Sequence, residues 1–170
     1  MRQIKVNSLL GNEILTVADV KNYVRIDTED DDPIITNMIT QARIWCENYI
    51  SKDIVPKNRT YYLDETNGLF DLPFSPVDSV ISVTSGGQSI GFTEYGLDDL
   101  SIELDGGPSS NVKVTYTTAG LNDGLVKQAM LQLISTYYDN RADFVIGAVK
   151  GVEIPTDVKT ILNGYKNMFI

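Results

Sequence analysis

The chain of 170 residues contains no histidine and a single cysteine, Cys46. Without histidine there can be no Ser-His-Asp or Cys-His nucleophile and no His-ligated zinc or haem. One cysteine rules out an internal disulfide and any multi-thiolate metal site, and is consistent with a reducing compartment. Bases are scarce too: 14 Lys and Arg stand against 23 Asp and Glu, a net charge of −9. Proteins that grip nucleic acid neutralise its phosphates with Lys and Arg, so nucleic acid repels this chain overall. Long apolar runs are also missing. The longest uncharged stretch, Ser79–Thr93, is rich in Gly and Ser and shorter than the ~20 apolar residues of a membrane span. The opening MRQIKVNSLLGNE has too short and interrupted an apolar run for a signal peptide. The expectation is a soluble chain made in a cytoplasm, with no membrane partner.

What is present is ordinary globular composition, 42% hydrophobic and 22% charged. Four segments carry helical periodicity. Thr16 and Asp19 stand at the spacing of a capping box, and Val17, Val20 and Val24 recur on one face to about Arg25. Asp32 and Pro33 open a second helix as N-cap and first residue. It runs to about Ser51, with Ile35, Ile39, Ala42, Cys46, Tyr49 and Ile50 on one face, flanked by Met38 and Trp45. A third helix starts near Asn122 or Asp123 and runs to about Arg141. Its apolar residues, Leu131 and Tyr138 included, cover roughly two thirds of the circumference, wider than a surface helix needs. Pro155 restarts a fourth helix, with Ile154, Val158, Ile161, Leu162, Tyr165, Met168 and Phe169 on one face to the end.

Residues 54–118 read differently. Candidate strands are Arg59–Leu63, Leu69–Leu72, Val77–Thr84, Leu100–Leu104 and Val112–Thr117, with hairpin turns at Asn67-Gly68 and Gly86-Gly87. The connections are too short for parallel crossovers, so one antiparallel sheet is expected. The expected fold is therefore α+β but mostly α: a four-helix domain with a small antiparallel β region inserted between helices two and three. It forms a single domain. An N-terminal arm occupies 1–14, helices one and two 15–53, the β region 54–118, helix three 121–141, a loop 142–153 and the last helix 154–170.

The acid run Asp27, Glu29, Asp30, Asp31, Asp32 is the obvious candidate for chemistry. As a calcium loop it lacks the central glycine; as a helix approach it favours the positive end of the helix dipole. Gly86-Gly87 and Gly106-Gly107 lack the Lys-Ser/Thr of a phosphate loop and read as turns. Trp45, Cys46 and the tyrosine pairs Tyr61-Tyr62 and Tyr137-Tyr138 read as packing residues. A carboxylate hydrolase needs two acids at a defined separation, which nothing here sets. No catalytic, cofactor or metal residue is assigned. Ile44 and Leu131 project from polar sides of their helices, and Phe144, Val145 and Ile146 form an apolar run. With the wide arc of helix three, they make Ile44, Leu131, Tyr138, Phe144, Val145 and Ile146 candidate subunit-interface residues.

The order of motifs resembles the head–tail connector (adaptor, or head-completion) proteins of long-tailed bacteriophages. LTVADVKNYVRID at Leu15–Asp27 resembles their Thr-headed short helix ending in Leu-Arg-Ile-Asp, and ARIWCENYI at Ala42–Ile50 their long second helix. Leu72-Pro73, Pro76-Val77 and Ser79-Val80 are similar to the family's strand-turn-strand. Val114, Tyr116, Thr118, Ala119 and Gly120 are similar to its Val-x-Tyr-x-x-Gly end. Val126-Lys127-Gln128-Ala129, Tyr138-Asp139-Asn140-Arg141 and Ile154-Pro155 follow in the same order. Asp139 stands where the family usually has Glu, and residues 1–12 have no counterpart. The resemblance implies a virion structural protein, not an enzyme and without a cofactor, assembled in the host bacterial cytoplasm. It implies a homo-oligomeric ring beneath the portal that extends the DNA channel. Portal and tail-completion proteins would be its partners, and DNA would pass without specific binding. The loop Ala142–Glu153 would be the neighbour contact. From the residues alone, a small acidic ligand- or metal-binding module built on Asp27–Asp32 is the alternative.

Overall fold

The first helix, α1 (Val17–Val24), shows how local chemistry starts an element. The Thr16 side chain accepts from Asp19 N, and the Asp19 carboxylate accepts in return from Thr16 N at 2.8 Å. Arg25 ends it in the left-handed region, φ 59. The second helix, α2 (Asp32–Ile50), buries Ile35, Met38, Ile39, Ala42, Cys46 and Ile50 along one face. Trp45 and Tyr49 are only half-buried and stack on each other, ring centres 5.0 Å apart. The third, α3 (Gly124–Asp139), is capped by Asp123, whose carboxylate accepts from Leu125 N at 2.7 Å. The fourth, α4 (Thr156–Asn163), buries Val158 and Leu162 and ends at Gly164. The computed structural model describes residues 1–141 and 155–166. The helices belong to one compact unit, Glu13–Ile50 with the chain from Asn122 onward.

A second compact unit consists of Met1–Asn12 and Ser51–Leu121. It holds eight strands: β1 (Arg2–Leu9), β2 (Lys57–Thr66), β3 (Leu69–Asp71), β4 (Val77–Ser85), β5 (Gln88–Ser89), β6 (Phe92–Gly96), β7 (Leu100–Leu104) and β8 (Ser109–Thr118). They form two antiparallel sheets, one ordered β1-β2-β8-β4-β5 and one ordered β3-β7-β6. The alternation along β8 buries Val112, Val114 and Tyr116 and leaves Lys113 in water. These three join Leu63, Val83, Phe70, Leu72, Ile102 and Leu104 in one apolar core, to which both sheets contribute. Burial of those side chains, at about 1.5–3 kcal/mol for each large one, is the main favourable term here.

This architecture corrects the expected fold class. The chain is mixed α+β, about 34% helix and 35% strand among the described residues, rather than mostly α with a small β insertion. The β region is two sheets, and it takes in strands at Arg2–Leu9, Gln88–Ser89 and Phe92–Gly96 that periodicity did not mark. The reason is range: β1 pairs with β2 through Arg2↔Leu63, a partnership no local window contains. Gly86-Gly87 does turn β4 into β5, with φ +55 and +85, the positive values of a type I′ turn. Asn67-Gly68 closes no hairpin; it carries the chain from β2 in one sheet to β3 in the other. Gly68 has φ +102, and a Cβ there would lie 2.8 Å from the Gly107 carbonyl carbon, so only glycine fits the crossing.

Candidate functional site

The expected interface residues fall in different surroundings. Ile44 is exposed on α2. Leu131, half-buried on α3, lines a shallow depression of about 430 Å3 with Leu15, Tyr23 and Lys127, and Ile44 is not part of it. Tyr138 is held by polar partners: its hydroxyl donates to the Asp31 carboxylate, and the Arg141 guanidinium lies 4.4 Å over its ring. Arg141 also donates to Asp31 at 2.9 Å. The hydrogen bond to Asp31 pushes the phenol of Tyr138 up. Tyr138 thus ties the end of α3 to the approach of α2. Phe144, Val145 and Ile146 lie outside the described residues.

The acid run is partly spent on the same joints. Asp31 takes Tyr138 and Arg141, and Asp32 takes Lys21 of α1 at 2.8 Å. Among the described residues no group of three or more acids or thiols is placed to hold a metal.

Two buried charge systems escaped sequence reading. In the helical unit, Arg43 is buried within α2 and donates from Nε to both Glu13 oxygens, at 2.9 and 2.8 Å, and from a terminal nitrogen to Glu47 at 2.9 Å. In the sheet unit, Asp53 is fully buried and accepts from Lys57 at 2.7 Å, from Arg59 at 2.6 and 2.7 Å, and from Thr118 at 2.9 Å. Burial alone would raise the Asp53 carboxyl, but the bonds from Arg59 and Lys57 outweigh it and hold it below the usual range. The Arg59 guanidinium also covers the Phe74 ring at 3.9 Å. The four-residue spacings Arg43–Glu47 and Asp53–Lys57 were the available signal, but at the sequence level such pairs read as surface ion pairs.

The sheet unit also presents open strand edges. All eight residues of β1 are exposed, including the apolar Ile4, Val6 and Leu9. Strand β6 ends the smaller sheet and exposes Thr93, Glu94, Tyr95 and Gly96, with Leu97 at the tip 90% exposed. For β1 a signal existed, the alternation of Ile4 and Val6 with Gln3, Lys5 and Asn7. Open edges and exposed apolar side chains are surfaces on which a further strand or chain can pair.

The sequence comparison is specific. The chain belongs to the head completion protein family, whose model matches residues 13–168. No curated protein matches it in sequence. Among solved structures it is similar to a chain in the neck of an empty GTA particle computed with C6 symmetry, at TM-score 0.74 and 18% identity. It is also similar to a chain from the virion of the native gene transfer agent particle, at 0.74 and 17%. A third match, at 0.73 and 16%, is to a chain from the neck of the native particle computed with C12 symmetry. Each match covers 99% of this chain and 97% of the other. At such identities the likeness establishes the fold, β1 included.

Proposed function

We propose that this head completion protein is a structural head–tail connector of the virion. Its copies close into a ring beneath the portal, extend the DNA channel, and meet tail-completion proteins on the far side. The observation that carries this reading is the family match across residues 13–168. The chains sharing its fold come from particle necks computed with C6 and C12 symmetry, which supports a ring. A ring of copies at −9 each concentrates negative charge, and acids facing the lumen let DNA slide without adhering. The protein acts by contact, assembled onto heads in the bacterial cytoplasm. Ile44, Leu131 and the segment 142–153 are proposed contacts with portal or neighbour.

The test is assembly. Purified DNA-filled heads that carry portal but lack this protein are mixed with it, sedimented and imaged. A ring of added density under the portal, with heads then competent to accept tails, is the expected result. Heads that bind no protein and stay tail-free with it present would overturn the reading.

A further inference from the structure

We propose that β1 of one copy adds, antiparallel, to the free edge of β6 in the next copy, so that a second copy of this chain covers both edges. The inference rests on the ring reading and names its contact. Of the outer strands in the two sheets, β5 has two residues and β3 three, too short to template another strand, and β4, which β5 covers only at Thr84 and Ser85, has an edge broken by register shifts at Asp78 and Ile81. The other two match in length. Strand β1 is regular over Arg2–Val6 before a bulge at Asn7, and β6 spans the five residues Phe92–Gly96.

The edges end different sheets. Strand β1 ends the larger sheet on one side and β5 on the other, and β6 follows β5 after only Ile90 and Gly91. One copy therefore offers β1 to a neighbour and β6 to another, the head-to-tail arrangement that repeats and closes into a ring. Their charges are opposite. Residues 1–12 carry Arg2 and Lys5 and no acid; residues 91–105 carry Glu94, Asp98, Asp99, Glu103 and Asp105 and no base.

The ladder geometry fixes a register. Met1 O accepts from Asp64 N of β2, so the alternation of an antiparallel ladder turns the N–H and C=O of Arg2, Ile4 and Val6 outward. Gly91 O accepts from Asp105 N beyond the end of β7, which turns those of Phe92 and Glu94 outward by the same rule. Setting Ile4 opposite Glu94 aligns the outward groups of both strands. It places Val6 against Phe92 and brings Arg2 to the end of β6 that Asp98 and Asp99 follow. Gln3 then faces Tyr95 as a non-hydrogen-bonded pair, whose ~4.5 Å Cα separation suits a disulfide.

The experiment is cross-linking of the full chain carrying Gln3→Cys and Tyr95→Cys, alone and with portal protein, under mild oxidation. Cys46 is fully buried with its thiol pushed up to about 12, so it does not compete. A ladder of disulfide-linked multimers is expected, weaker when Thr93→Cys replaces Tyr95→Cys. Independently, Arg2→Glu with Lys5→Glu should raise the concentration needed for assembly by roughly tenfold or more, and adding Glu94→Lys with Asp98→Lys should restore it. Rings that form without cross-links, or that ignore the charge reversal, overturn the edge pairing and leave the ring reading standing. A chain that stays monomeric with and without portal overturns both.

Discussion

The helical unit closes on itself, whereas the sheet unit stays open at its margins. The interior turns of α2 and α3 bond within their own helix, and side chains tie the helices together: Tyr138 to Asp31, Lys21 to Asp32, Tyr49 to Asn163 at 2.9 Å, Tyr165 to Asp123. In the sheets each strand needs a neighbour, and the outer rows of β1 and β6 have none among the described residues. The units also place their buried charge differently. Arg43 in the helices leans on Glu13, which remains partly in water, whereas Asp53 in the sheets is wholly buried. Rigidity and recognition are thereby separated: the Asp53 cluster fixes the start of β2 against the end of β8, and the open edges remain for a partner.

The largest break in this contrast should come from Asp53→Asn. It leaves Lys57 and Arg59 buried without their shared carboxylate, at a cost of about 3–5 kcal/mol measurable by urea unfolding. Glu13→Gln, at a half-exposed site, should cost about 1 kcal/mol. The Asp53 carboxylate also predicts a pH signature. A carboxyl held below its unfolded value stabilises the native state above that value, ~3.9, and the contribution vanishes as pH falls through the folded pKa. Wild type should lose stability below about pH 4, and Asp53→Asn should flatten that slope. An unchanged acid limb in the variant would remove Asp53 from this role.

Next in size is Gly120→Ala. Gly120 sits at φ +79, and a Cβ would lie 2.8 Å from the Ile54 carbonyl oxygen, which accepts from Leu121 N. A loss of about 2–3 kcal/mol in thermal or urea unfolding is expected. Gly124→Ala, with open space around it, should be neutral or slightly stabilising. A smaller loss, about 1 kcal/mol, is expected from Thr16→Ala, which removes one half of the α1 capping box. The variant should leave cross-linking through β1 and β6 unchanged; loss of cross-linking in it would show that the α1 cap matters to assembly.

What was legible in the sequence follows range of interaction. Thr16 with Asp19 and Asp123 before Leu125 announce helix starts because a cap and its partner lie within three residues, and Pro33 marks the start of α2, whose first residue is Asp32 rather than a cap before it. The strands around Val112–Thr117 and Leu100–Leu104 were legible from alternation, and Gly86-Gly87 from the positive φ a tight turn demands. Strand β6 was hidden because Phe92-Thr-Glu-Tyr-Gly does not alternate apolar with polar residues. Arg43 and Glu47 looked like a solvent-facing pair, and only the approach of Glu13 explains their burial. Tyr138 looked like an apolar contact until Asp31, more than 100 residues away, claimed its hydroxyl.

The sequence by itself determined the absence of histidine chemistry, the acid excess, the helix caps, and the ordered motifs that place the chain among head completion proteins. The tertiary structure alone decided that the β region is two sheets, that Asp53 is buried, and that β1 and β6 are open edges. The physical reason is that caps and turns are settled between residues a few positions apart. A strand's neighbour, a buried charge's counter-ion and a free edge are defined only once distant parts of the chain have met.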